Sequence, residues 1–306
     1  MMNKRLLKTE KGMALVITLV ILVILTAMVT EFSYGVYTST ASLGNWKESQ
    51  RLSLIARSGV RLSVKTVSDL YQLYSYTYPG RVDLPVENIV GGFDGSLVIT
   101  VEDENSRFNL NSLVFQNGTL NSEAYTVFRR LLRNLGLEEN ISDILADWMD
   151  RDSAPRAGAT EESAKNSHID SSDELLTIRG ISPDTYERLL PYITVYGYLR
   201  RDSALINVNT ATIPVIMSID DRITTDLAER VVRYREIEPF RKTSDLVKVA
   251  GFEGSLGQSL MSKIIVKASN YRIRASAENN KIKRVIDAVV EIKGSDNNLV
   301  RYWKEI

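Results

Sequence analysis

KRLLKTEKGMALVITLVILVILTAMVTE, residues 4–31, decides the architecture of this chain. Lys4, Arg5, Lys8 and Lys11 crowd the stretch before Gly12, and Met13 to Thr30 carries no charge. At about 1.5 Å of rise per residue, a helix of that length crosses a hydrocarbon core of about 30 Å. Cations mark the cytoplasmic side, so the leader stays inside and residues beyond about 35 lie across the membrane. A secretory signal places its small-residue cleavage site after the apolar region, whereas here the processing site lies before it. Cleavage after Gly12 would leave a mature chain that begins with its own membrane helix. An uncleaved signal anchor with an incidental glycine is the competing reading, and both give the same topology.

Working outward, no turn signal separates this run from an amphipathic stretch. Leu52, Ile55, Gly59 and Leu62, then Val67, Leu70 and Tyr74, recur at helical spacing and predict one buried stripe. The expectation is one helix from Met13 to about Tyr74, ended by Pro79 and Gly80. Residues 81–95, with Pro85, Gly91, Gly92 and Gly95, read as loop. SLVITVEDE, 96–104, alternates Leu97, Ile99 and Val101 as a half-buried strand should. From there the period becomes helical. Ser122 reads as the cap of a helix with Phe128, Leu131 and Leu135 on one face, stopped at Gly136. Ile141, Ile144, Leu145 and Trp148 predict a second helix.

Residues 150–172 form a polar loop that is long for a plain connection. SDELLTIRGI from Ser172 and TSDLVKVAGF from Thr243 are a degenerate internal repeat of helix, hairpin and helix. After Lys267 the period returns to two, and YRIRASAE, RVIDAVVEIK and NLVRYWKEI read as three strands joined by hairpins. The strand near 96 and these three are expected to share one sheet packed on the first helix, with about 121–265 inserted.

Charge is balanced at 38 Lys plus Arg against 38 Asp plus Glu, which does not favour a general polyanion binder. The chain has no cysteine, excluding disulfides and thiolate chemistry. His168 is its single histidine, and it lies in a polar loop suited to a solvated ring. Phosphate-binding and nucleophile-elbow glycine patterns are missing, so an enzyme is not expected. Nucleic-acid binding through the hairpins is disfavoured as well. Such hairpins offer bare backbone N–H groups to phosphate, whereas these carry Ser182, Asp220 with Asp221, and Glu253.

KGMALVITL, DENSRFNLNSL (103–113), DILADWMDRD (143–152), SSDELLTIRGI (171–181), INVNTA (206–211) and the closing strands together resemble the type II secretion system protein K (GspK) family of minor pseudopilins, in its order and over essentially the whole chain. The resemblance implies an α+β, pilin-like fold with a long N-terminal transmembrane helix, an antiparallel sheet and a large helix-hairpin-helix (SAM-like) insertion. It divides the chain into a prepilin leader (1–12), a transmembrane segment (13–34), an amphipathic helix with the first strand (35–120), two helical subdomains (121–204 and 205–266) and a C-terminal sheet (267–306). It also implies a single-pass inner-membrane protein with its bulk in the periplasm, capping the tip of a pseudopilus that drives protein export. The implied partners are other minor pseudopilins (GspI, GspJ and GspH), the major pseudopilin, prepilin peptidase and inner-membrane lipid. A minor pilin of a type IV pilus shares the leader and the sheet, but the helical insert argues against it.

Particular residues follow from the resemblance. Gly12 and Met13 are the processing junction, with methylation of the new Met13 amine. Members of this class usually carry Glu at the fifth mature position to meet the ammonium of the subunit above, because a bare charge in an apolar bundle costs several kcal/mol. Here that position is Ile17, which fits a subunit with nothing above it. A plain lipid-facing residue is the alternative reading of Ile17. Calcium is associated with the family's acidic loop and takes six to eight oxygen ligands in general, which makes Asp150, Asp152, Glu161 and Asp173 candidate ligands. The chain lacks the family's Tyr after Gly158 and Glu161, and a solvated acidic loop without an ion fits equally.

Overall fold

The apolar run and the amphipathic stretch form one uninterrupted rod. The computed structural model describes residues 3–78, 82–86, 95–152, 156, 164–197, 205–294 and 297–306. Helix α1 (Asn3–Leu73) is 71 residues long, and from Met13 to Trp46 its apolar side chains are exposed. Contact with the rest of the protein begins near Glu48, whose carboxylate accepts from Asn279 Nδ2 at 2.7 Å.

Beyond that point Leu52, Ile55, Ala56, Val60, Ser63 and Val67 are buried against the sheet. Full burial of such aliphatic side chains contributes about 2 kcal/mol each. Gly59 lies close against the sheet, since a Cβ there would stand 3.3 Å from Ile99 Cδ1 and 3.5 Å from the Ala275 Cβ. Leu62 and Leu70, expected in the stripe, remain 54% and 46% exposed. The buried face drifts along α1 toward Val64, Ser68 and Tyr71, as it must when a straight helix crosses a twisted sheet. The two leucines fall off its trailing edge.

The strands follow in chain order, interleaved with helices. β1 (Val82–Val86) and β2 (Ser96–Asp103) lead into β3 (Phe108–Asn109), α2 (Ser122–Asn134), α3 (Ile141–Met149), α4 (Pro183–Leu189) and β4 (Ile193–Thr194). β5 (Ile206–Asn207), α5 (Ile213–Ser218), α6 (Thr225–Ile237), α7 (Ser255–Leu260) and β6 (Ile264–Ile265) come next, before β7 (Asn270–Asn279), β8 (Ile282–Glu291) and β9 (Leu299–Glu305). The main sheet is ordered β1-β2-β7-β8-β9 with antiparallel neighbours throughout. The expected sharing of one sheet between residue 96 and the C-terminal strands is therefore observed, and residues 104–269 are the insertion.

Two local expectations change. Residues 82–86 are a strand rather than loop, because Val82, Leu84 and Val86 alternate and Pro85 is tolerated at an edge where its missing N–H leaves no gap in a ladder. Asn121, not Ser122, caps α2, its side chain accepting from Ala124 N. The β7–β8 hairpin turns on Asn280 and Lys281, both at positive φ, which suits the twist of a two-residue connection.

Candidate functional site

The insertion is built from two copies of one local design. In the first, Asn109 Oδ1 accepts from Asn111 N at 3.1 Å, and β3 pairs in parallel with β4. Asn111 then clamps a distant loop: its Oδ1 accepts from Ile169 N at 2.7 Å, while its Nδ2 donates to Ile169 O and Val195 O at 2.8 and 2.9 Å. In the second, Asn207 Oδ1 accepts from Asn209 N at 3.1 Å, and β5 pairs in parallel with β6. Asn209 Oδ1 accepts from Phe240 N at 2.9 Å, and its Nδ2 donates to Phe240 O and Val266 O at 2.8 and 3.0 Å. FNLNS and INVNT are thus the same device. A buried amide side chain satisfies one N–H and two carbonyls that the fold has removed from water.

Each copy continues as a helix pair, a 3₁₀ turn (Ser172–Thr177 or Thr243–Lys248), a positive-φ glycine and a short helix. Gly180 lies against Ile144 and Gly251 against Leu227, where a Cβ would run into a Cδ atom of each side chain. The repeat legible from Ser172 and Thr243 therefore extends back to Phe108 and Ile206, well upstream of residue 121. Helices α2 and α5 pack on each other, and Arg130 reaches across to Asp221 with Nε–Oδ1 and Nη2–Oδ2 distances of 2.6 and 2.7 Å.

Three consecutive residues at the end of β2 fasten both copies to the sheet. Asp103 Oδ2 accepts from Asn207 Nδ2 at 2.7 Å and Thr210 Oγ1 at 2.5 Å. Glu104 accepts from Thr194 Oγ1, and its other oxygen holds Arg107 and Arg272 at 2.9 and 2.8 Å. Asn105 Oδ1 accepts from Ser269 N and Asn270 N at 2.9 and 3.0 Å. All three residues are buried. Burial pushes the Asp103 carboxyl up to about 6, against the opposing hydrogen bonds of Thr210 and Asn207. Arg235, behind the second copy, donates to Val208 O and Ala211 O at 2.7 Å each, and burial lowers its guanidinium to about 10.

At the hairpin tips the acids turn inward. Asp220 is held at about 2 by the side chain of Arg222, and Glu253 Oε2 accepts from Gly251 N at 2.7 Å. A carboxylate thus stands on the backbone N–H that a phosphate would use.

The described candidate ligand residues have different partners. Asp150 and Asp152 face Arg156 at 2.6 and 3.7 Å, but Asp173 is engaged by Lys304 and Tyr186, each at 3.0 Å. Glu161 lies outside the described residues, as does Gly158. Among the described residues no group of three or more His, Cys, Asp or Glu could hold a metal ion, so Asp150, Asp152 and Asp173 do not by themselves form such a site. His168 Nε2 sits 3.0 Å from Val114 O. Gly12, Met13 and Ile17 lie in α1, with Met13 and Ile17 exposed. This is the one helix among the described residues long and apolar enough to cross a membrane.

The two copies coincide with two family models. Both are described as type II secretion system (T2SS), protein K, and they match residues 106–198 and 206–267, together half the chain. The chain belongs to the type II secretion system protein K family. It is 27% identical to the protein K of Aeromonas hydrophila over 96% of each chain, and 34% identical to that of Pseudomonas aeruginosa over 50% of this chain and 49% of the relative. Its fold is shared with a chain of the crystal structure of the GspK-GspI-GspJ complex from the enterotoxigenic Escherichia coli type 2 secretion system. That match has a TM-score of 0.65 and 17% identity, and it covers 85% of this chain and 97% of the other. Family membership and the apolar part of α1 make this a membrane-anchored component of a secretion system.

As individual side chains, Asp103, Glu104, Asn105 and Arg156 are not marked out by any sequence motif. Their signal was faint: polar residues at the end of an alternating strand, and a basic residue within an acidic stretch.

Proposed function

We propose that this protein K caps the tip of a short periplasmic pseudopilus and helps initiate its assembly, without catalysis of its own. The observation that carries the reading is α1. Its exposed apolar half is a rod suited to packing beside equivalent helices, it offers Ile17 where a carboxylate would meet a following subunit's ammonium, and its other half supports a bulky insertion. A charge with no partner in such a bundle is costly, so a subunit without the acid ends a stack rather than extends it.

In this reading prepilin peptidase cleaves after Gly12, the Met13 amine is methylated, and the N-terminus lies on the cytoplasmic side of the inner membrane. GspI and GspJ, named with GspK in the solved complex, identify the class of neighbours. GspH-type and major pseudopilins would lie further down the filament. The self-capped hairpin at Gly251 favours protein contacts over nucleic acid. Mass analysis of the N-terminus in cells with and without prepilin peptidase tests the processing. The expected result is loss of residues 1–12 only when the peptidase is present, and an intact leader in both strains would refute it. Ile17→Glu sharpens the tip assignment. It should reduce secretion or filament initiation while the protein level stays constant, and unaltered secretion would count against the position.

A further inference from the structure

The C-terminal end of α3 holds a charge problem that a nearby side chain resolves. Asp147 and Asp150 are 1% and 0% exposed, one turn apart, at a helix end whose carbonyls already make the potential negative. Carboxylates buried in this way require a cation and complete hydrogen bonding. Arg156 supplies it. Its Nη1 donates to Asp147 Oδ1 and to Asp150 Oδ2, the latter at 2.6 Å, and its backbone N–H donates to Asp147 Oδ2 at 2.6 Å. Nη2 lies 3.7 Å from Asp152. Among the described residues, the Arg156 guanidinium faces the carboxylates of Asp147, Asp150 and Asp152, and Asp150 Oδ1 is buried without a hydrogen-bond partner. Lys165, the next cation along the loop, serves Asp170 and Glu174 at 2.7 and 2.8 Å.

Several carboxylate oxygens converging on one positive centre is what a hard divalent cation asks of a flexible loop. Here the centre is a guanidinium, charged at any physiological pH and with donors fixed in a plane. We propose that Arg156 is a built-in counter-ion standing in for a divalent cation at the acidic end of α3, so that Asp147 and Asp150 are neutralised in this chain without metal. The second copy has no need of such a device, because α6 passes to Phe240 through Glu238 and Pro239 alone. A covalently attached cation is present at any ion concentration, whereas a bound metal is lost as free metal falls.

Thermal unfolding of the full-length chain in detergent, followed by circular dichroism and tryptophan fluorescence, tests this. Trp148 is a local reporter, since it adjoins Asp147 and its Nε1 donates to Glu174 at 3.0 Å. Wild type is expected to melt at the same temperature in EDTA and in millimolar calcium. Arg156→Gln strands two buried carboxylates and should melt lower by about 5–15 °C in EDTA, with calcium restoring most of the loss. A wild-type melting temperature that falls in EDTA would overturn the proposal, as would an Arg156→Gln protein as stable as wild type. An Arg156→Gln protein that melts low and ignores calcium would reduce the contact to an ordinary ion pair and overturn it too. If Arg156→Gln does not fold, Arg156→Lys decides. A lower but EDTA-insensitive melting temperature supports the built-in cation, and EDTA sensitivity refutes it.

Discussion

The two halves of the insertion are the same structure carried to different lengths. In both, an Asn-x-Asn segment starts a parallel bridge, the second asparagine clamps a returning chain, and a positive-φ glycine sets a short helix against the preceding one. What differs is the stretch between the second helix and the clamped residue, 150–168 in the first copy and 238–239 in the second. The long version brings acids, Arg156 and Lys165, while the short one runs directly to Phe240. A scaffold closed by buried amides tolerates an insertion at this point because the clamp, rather than the connecting chain, fixes where the loop returns. The copies also differ in their hold on the sheet, through Glu104 for the first and Asp103 for the second.

The largest expected effect tests whether the clamps are equivalent. Asn111→Ala removes the side-chain partners of Ile169 N–H, Ile169 O and Val195 O, and Asn209→Ala those of Phe240 N–H, Phe240 O and Val266 O, the last still accepting from Thr77 N at 2.8 Å, so each should cost about 3–5 kcal/mol in chemical denaturation. Similar losses would bear out the duplication. A loss confined to one variant would mean that the matching hydrogen bonds do unequal work.

A somewhat smaller effect separates the two attachments. Asp103 has its carboxyl raised from the ordinary range to about 6, so the folded state binds a proton more readily than the unfolded chain. Its favourable contribution is complete below about pH 4 and is lost as pH rises through about 6, a change of about 3 kcal/mol. The stability gap between wild type and Asp103→Asn should therefore narrow from pH 4 to 6. A constant gap across that window would remove Asp103 as the titrating group.

The smallest effect concerns the glycine turns. Gly180→Ala and Gly251→Ala place a Cβ at positive φ and against Ile144 or Leu227, tips of flexible side chains that can shift. Each should cost about 1–2 kcal/mol, read as a drop of a few degrees in melting temperature. A neutral Gly251→Ala beside a costly Gly180→Ala would show that the second copy packs more loosely.

Much of this was legible in the chain itself. The uncharged run Met13–Thr30 and the stripe from Leu52 to Val67 carry their own periodicity, as do the alternating strands after residue 270, so element type followed from local pattern. The repeat was visible only where Ser172 and Thr243 begin similar strings. FNLNS and INVNT share too few letters to advertise a common role, and their likeness lies in hydrogen bonds to residues far along the chain. β1 was hidden by Pro85, which ordinarily argues against a strand and here sits at an edge.

The sequence alone determined the apolar N-terminal rod and the alternation of helical and extended segments, because these depend on side-chain polarity at fixed spacing. Only the tertiary structure decided that Asp103, Glu104 and Asn105 tie both copies to the sheet and that Arg156 turns back onto Asp147 and Asp150. Such partnerships depend on which polar groups folding buries together, and burial is a property of the packed molecule rather than of any short stretch of chain.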